Sequence, residues 1–226
     1  MRRFMIIVAA LFASLSATNA WAETAPIYCN YGFFAEGAIE TGVEVYRVES
    51  PGRTYFQYDG RDCPGPASCR RNSYLVGKNE VLLGKIQNGW ACAWYGGGKS
   101  PTIGWLRAAD LEKVTRPPPQ TVNWLGTWSV GDDAQIKITR DGGGLRVTGD
   151  GTWRGPVSEH SGYFDGVLTV DGVRAVHTEP LGDEPAACVV NFRRIDRYLI
   201  VSDNGRCGGA GVDFSSVYRL VASGRR

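Results

Sequence analysis

The sequence predicts an all-β protein made of two small domains, and three observations support this class. The chain contains 30 glycines, and 11% of its residues are aromatic. Asp-Gly and Asn-Gly turn signals recur between short apolar runs, and almost no stretch is rich in strong helix formers. This composition favours short strands joined by tight turns. A run of three prolines near the middle of the chain divides it into two parts.

The N-terminus has the three parts of an export signal. Arg2 and Arg3 give a positive start, Ile6 to Leu15 is apolar, and Ala20-Trp21-Ala22 is a small-x-small cleavage site. The apolar run is too short to span a membrane, which takes about 20 residues. We therefore expect a signal peptide at residues 1–22 and a periplasmic or secreted protein without a membrane span.

The charge of the remaining chain is balanced. The full sequence has 25 basic and 23 acidic residues, and removal of Arg2 and Arg3 leaves 23 of each. A neutral protein with mixed charges offers no electrostatic basis for binding nucleic acid or an anionic membrane surface.

All six cysteines lie after the predicted leader, and an even set of exported thiols predicts disulfides. The last two cysteines are the only pair beyond the prolines, so we expect them to bond each other. The first four allow three connectivities. A bridge closing the short Pro-Gly-Pro loop is favoured, with a second one joining the N-terminal arm to a strand. The expected pairs are Cys188–Cys207, Cys63–Cys69 and Cys29–Cys92.

The prolines predict a linker at residues 116–121, because consecutive prolines favour an extended, stiff spacer and cannot continue a central strand. The first domain then covers residues 23–115 and the second covers 122–226. In the first domain, strands are predicted around Glu44 to Val48, Glu80 to Gly84 and Trp105-Leu106.

The second half of the first domain resembles the bacterial SH3-like domain, a small five-stranded barrel. The resemblance rests on Tyr74 to Gly77, Glu80 to Gly84, Gly89 to Tyr95, Gly104-Trp105-Leu106 and Ala108 to Leu111. It implies a barrel with a shallow aromatic groove for extended peptides. The usual Asn-Val-Arg start is missing, and Tyr55 to Tyr58 and the loop from Cys63 to Cys69 occupy its place.

The second domain predicts seven or eight antiparallel strands that close into a small barrel or sandwich. Its turn signals include Asp141-Gly142, Asp150-Gly151, Asp165-Gly166, Asp171-Gly172 and Asp203-Asn204-Gly205. Near its start, Gly126-Thr127-Trp128 is similar to the glycine-x-tryptophan signature of lipocalins. Its ending, Val201 to Gly209 and Val212 to Arg219, resembles a small domain of exported bacterial proteins of unknown role, which implies location only.

The candidate ligand site is a set of aromatic residues in the first domain: Tyr55, Tyr58, Trp90, Tyr95 and Trp105. We expect them to line one exposed groove, because a small barrel cannot bury so many rings and aromatic side chains dominate binding hot spots. The alternative is that Trp90 and Trp105 belong to the core and its rim.

Catalysis is not expected. The two histidines, His160 and His177, lack a nucleophile elbow or a clear orienting acid. The cysteines lack zinc-ligand spacing, and Asp203-Asn204-Gly205 lacks the later acids of a calcium loop. We therefore expect no metal and no cofactor.

Four basic residues near the last predicted hairpins of the second domain are more simply explained as a solvent-exposed face than as a contact for an acidic partner. They are Arg193, Arg194, Arg197 and Arg206. The sequence as a whole indicates an exported, non-catalytic binding protein of the bacterial cell envelope that docks peptidoglycan peptide or an envelope protein. The alternative is an inhibitor or immunity-type protein that caps a cell-wall hydrolase.

Overall fold

The computed structural model describes residues 28–98, 100–117, 122–181 and 184–221. The predicted signal peptide at 1–22 lies outside the described residues, as does most of the predicted linker. The described part is all-β, as predicted, with two sheets, one α-helix and two single-turn 3₁₀ helices. None of its helices is long and apolar enough to cross a membrane.

The first sheet has seven antiparallel strands in the order β3-β2-β6-β5-β4-β1-β7. The strands are β1 (Glu44–Val48), β2 (Thr54–Gln57), β3 (Arg70–Leu75), β4 (Glu80–Gln87), β5 (Trp90–Tyr95), β6 (Thr102–Arg107) and β7 (Leu111–Lys113). It curls around an apolar cluster that includes Val48, Phe56 and Leu106. Strands β3 and β7 are its edges, so β3 has a free ladder of backbone groups.

The second sheet is a closed eight-stranded barrel. Its strands are β8 (Gly126–Val130), β9 (Ala134–Asp141), β10 (Gly144–Arg154), β11 (Glu159–Asp171), β12 (Arg174–Leu181), β13 (Glu184–Ile195), β14 (Tyr198–Asp203) and β15 (Ser216–Leu220). Each strand pairs with the next, and β15 pairs with β8 to close the circle. Gly142 and Gly172 have positive φ in the predicted Asp-Gly turns, which is the conformation such hairpins require. Large side chains such as Phe164, Phe192 and Tyr218 fill the interior.

A helix, α1 (Tyr31–Thr41), precedes the first sheet and was not predicted from the sequence. Its N-cap is Asn30, whose side chain accepts a hydrogen bond from the Phe33 N–H at 3.3 Å. Gly42 ends the helix with a positive φ. The helix contains Gly32 and Gly37, which lower its intrinsic propensity, so its stability depends on tertiary packing.

Helix α1 packs between the two sheets and joins their cores. Its Phe34 belongs to an apolar cluster with Leu82 and Trp94 from the first sheet and Ile200 and Val217 from the barrel. The two predicted domains therefore share a continuous buried interface in addition to the covalent linker.

Three disulfides are present, and they are the three pairs that the sequence favoured. Cys29–Cys92 joins the segment before α1 to β5, with 5.4 Å between the Cα atoms. Cys63–Cys69 closes the loop between β2 and β3, and Cys188–Cys207 joins β13 to the loop after β14.

Candidate functional site

The five aromatic residues of the predicted groove lie in different surroundings. Trp105 is only 2% exposed and belongs to the cluster shared with α1. Its indole N–H donates to Oδ1 of Asp59 at 3.1 Å, while Oδ2 of Asp59 accepts the Cys29 N–H at 2.8 Å. Asp59 thus attaches the N-terminal arm to the sheet, and Trp105 is a core residue. Trp90 is half-buried at the rim of the same cluster, below the Arg107 guanidinium.

Tyr95 lies on the opposite face of β5 from Trp90. It packs against the cluster inside the curled first sheet, together with Ala93 and Leu106. The cause is strand geometry, because successive side chains point to opposite faces and Trp90 and Tyr95 are five residues apart. The prediction that all five aromatic residues line one exposed groove is therefore wrong.

Tyr55 remains exposed enough to act as a ligand surface, and the structure gives it a neighbour that the prediction omitted. Its ring centroid lies 5.6 Å from that of Tyr74, its cross-strand partner on β3. Arg53 lies 4.3 Å over the Tyr74 ring, and Arg70 lies 4.6 Å over the Tyr55 ring. We name these four residues the Arg/Tyr face.

The Arg/Tyr face lies on the outer side of β2 and β3. Thr54 and Phe56 alternate with its residues on β2 and are buried, so Arg53 and Tyr55 point outward. Tyr74 is 43% exposed, and β3 is an edge of the sheet. The face therefore combines two tilted tyrosine rings with the edge strand β3, which carries one of them.

The electrostatics of the face are uncompensated. Neither Arg53 nor Arg70 forms an ion pair with a carboxylate in the part of the chain that the structure describes. The neighbouring Tyr55 hydroxyl raises the pKa of Arg53, a group that is charged at any physiological pH. Two cations held over tyrosine rings provide a site for an anion, because guanidinium groups bind carboxylates bidentately.

Tyr58 is 54% exposed but lies apart from this face. It follows β2, and its ring lies 5.4 Å from the guanidinium of Arg71. Arg71 alternates with Arg70 along β3 and donates to the Ile103 carbonyl at 2.6 Å, so it points to the other side of the strand.

The alternation Arg53/Tyr55 and Arg70/Tyr74 was visible in the sequence as pairs with small even spacing. That these four residues form one surface follows only from the pairing of β2 with β3, which brings the two tyrosines together.

Both histidines lie on strands of the barrel, His160 on β11 and His177 on β12. His177 is buried in the barrel, where its Nδ1 lies 3.0 Å from the Val167 carbonyl oxygen and its ring stacks on Phe164. His160 is half-buried, and its Nε2 lies 3.2 Å from the Ser158 hydroxyl. Among the described residues, no carboxylate is within ion-pair distance of His160.

No protein-family model, no curated protein and no solved structure matches this chain.

Proposed function

We propose that this is an exported, non-catalytic binding protein of the bacterial cell envelope that holds acidic peptide of the cell wall on its Arg/Tyr face. The observation that carries the proposal is a pair of neighbouring tyrosine rings, tilted by 57° to each other and each covered by an arginine. Among the described residues neither arginine has a carboxylate partner. The leader-like N-terminus and the three disulfides support a periplasmic or secreted location.

The chemistry of the face suits an extended peptide with free carboxylates. Each exposed cation–π contact contributes about 0.5–1 kcal/mol, so the rings hold the guanidinium groups in place before a ligand arrives. A preorganised guanidinium loses less side-chain entropy on binding. The free edge of β3 can add backbone hydrogen bonds to an extended peptide, while the arginines bind its acidic groups. Wall stem peptides carry such carboxylates.

The same observation favours a second candidate, an inhibitor or immunity-type protein that caps a cell-wall hydrolase. Glycoside hydrolases place two carboxylates in their active-site cleft. A pair of unpaired arginines is complementary in charge to such a cleft, so the Arg/Tyr face could cover it.

The test replaces Arg53 and Arg70 by alanine in the full exported protein and measures binding to purified peptidoglycan and to soluble stem peptides. We expect the double variant to lose at least tenfold in affinity, since interface arginines that act as hot spots contribute about 2 kcal/mol or more. The matched control replaces Lys137 and Arg140, two basic residues on β9 in the barrel, and should bind as the unaltered protein does.

Each outcome separates the candidates. Binding of peptidoglycan that the double variant loses supports the wall-peptide function. Inhibition of a purified wall hydrolase without peptidoglycan binding, again lost in the double variant, supports the capping function and overturns the first. Equal binding by the double variant and the control rejects the Arg/Tyr face as the site.

A further inference from the structure

A second basic region lies in an open cleft between the two domains. The cleft has a volume of about 760 Å³ and is bordered by β1, β7, the start of the linker region and the end of β13. None of the residues that line it belongs to the Arg/Tyr face. Ligand sites commonly form at such domain junctions.

Arg193 is the unusual residue of this cleft. Its side chain is half-buried, and its Nε is shielded from solvent without a hydrogen-bond partner. In the described part of the chain no carboxylate pairs with it. A buried polar group without a partner costs free energy, so an uncompensated guanidinium here requires an explanation.

The neighbouring strand β12 makes the position of the Arg193 guanidinium less favourable still. Arg174 on β12 is the direct cross-strand partner of Arg193, and like charges in that position repel. Burial lowers the pKa of Arg193, and the nearby Arg174 lowers it further. An anion placed beside Arg193 would relieve both effects.

The other charged groups of the cleft already have partners. Lys113 pairs with Glu44, and Arg116 pairs with Asp196 and with Glu80.

Arg194 is also satisfied. Its guanidinium donates to the carbonyls of Asn123 and Tyr198, and it lies 4.3 Å over the Trp128 ring. Among the described residues that line the cleft, Arg193 is therefore the cation that has neither a carboxylate nor a carbonyl partner.

The remaining wall of the cleft is aliphatic. It is formed by Val43, Val45, Val114, Val122, Val173 and Ile195. One fork-shaped cation next to a branched apolar wall matches a ligand with a carboxylate at one end and an aliphatic group behind it.

We propose that the interdomain cleft binds an aliphatic carboxylate, with its carboxylate on the Arg193 guanidinium and its apolar part against the valine wall. Such a group occurs both in a fatty acid and at the C-terminus of a peptide that ends in an aliphatic residue. The bound group would lie between residues of both domains, so it would stabilise their junction.

The experiment is calorimetric titration of the full protein with octanoate and with a short peptide ending in Val-Leu. Octanol and the C-terminal amide of the same peptide are the uncharged controls. We expect at least one of the two acids to bind, with an affinity at least tenfold higher than that of its uncharged control, and to raise the melting temperature of the protein. The preferred probe identifies the source of the carboxylate.

Two substitutions test the residue itself. Arg193→Met keeps the length and removes the charge, and we expect at least a tenfold loss of affinity for the acid. Arg193→Lys keeps the charge without the planar fork and should bind with intermediate affinity. Arg140→Met is the matched control in an exposed barrel position and should bind normally.

The Arg53→Ala/Arg70→Ala variant should also bind these acids normally, so failure at the Arg/Tyr face and failure in the cleft are distinguishable. Equal affinity for acid and uncharged control, unchanged binding by Arg193→Met, or no binding of either acid at millimolar concentration would each overturn the proposal. If Arg193→Met does not fold, the comparison of acids with their uncharged controls in the unaltered protein decides the question.

Discussion

The Cys29–Cys92 disulfide should contribute more stability than either of the others, because it closes the longest loop. Its cysteines are 63 residues apart in sequence, against 19 for Cys188–Cys207 and 6 for Cys63–Cys69. The loop-closure entropy of the unfolded chain gives about 4 kcal/mol for the first, about 3 for the second and about 2 for the third. The first bridge also fixes the segment that leads into α1.

The measurement is urea-induced unfolding of variants in which both cysteines of one pair are replaced by alanine. Alanine is the suitable replacement because Cys29 and Cys92 are each only 3% exposed, and a serine hydroxyl would be buried there. We expect the free energy of unfolding to fall by about 4 kcal/mol for Cys29→Ala/Cys92→Ala and by about 2 kcal/mol for Cys63→Ala/Cys69→Ala.

The second double variant is the matched control, since it removes the same atoms from the same domain but opens a short loop. An equal loss in the two double variants, or a larger loss for the short loop, would refute the entropic argument. Because opening a long loop lets the denatured state expand, the urea dependence of the free energy should rise more for Cys29→Ala/Cys92→Ala than for Cys63→Ala/Cys69→Ala.

Three further changes test the junction and the barrel. Phe34→Ala should lower the free energy of unfolding by about 3–5 kcal/mol, because Phe34 packs between the sheets. In the unaltered protein, chemical denaturation followed in both domains should show one transition, and two well-separated transitions would mean that the domains are energetically independent. Arg194→Ala should lower the free energy of unfolding by about 1–3 kcal/mol, measured by thermal unfolding, since two carbonyls lose their donor and Trp128 loses its cation–π contact. An unchanged melting temperature would mean that these contacts of Arg194 do not stabilise the fold. Burial and the neighbouring Asp213 raise the pKa of Asp203, so folding favours the protonated carboxyl over the carboxylate relative to the unfolded chain. The unaltered protein should therefore lose stability relative to Asp203→Asn as the pH rises from about 4 through the folded-state pKa, and melting curves with a constant difference across pH would contradict this.

Local patterns in the sequence predicted the features that depend on neighbours along the chain. The Asp141-Gly142 and Asp171-Gly172 turns need only positive φ at a glycine, and they form hairpins between adjacent strands of the barrel. The turns predicted at Asp150-Gly151 and Asp165-Gly166 are wrong, because these residues lie inside the long strands β10 and β11. The Cys188–Cys207 pair followed because no other thiols lie beyond the prolines. An up-and-down barrel pairs each strand with the next, so its class could be predicted from alternation and turns.

Helix α1 shows where this local information ends. It has two glycines, and its buried residues find their partners in β4, β5, β14 and β15. Because its stability comes from contacts that are distant in sequence, propensity alone did not predict it. The junction of the two domains depends on this helix, so it was not predicted from the sequence either.

The amino-acid sequence by itself determined the all-β class, the disulfide-rich character and the abundance of aromatic and arginine residues. Only the tertiary structure decided which of those side chains reach the surface together. Strand pairing brought Tyr55 beside Tyr74, and the cluster that α1 shares with both sheets buried Trp105. A binding surface is made by side chains from several strands, so it follows from the register between strands, which composition and spacing along one strand do not specify.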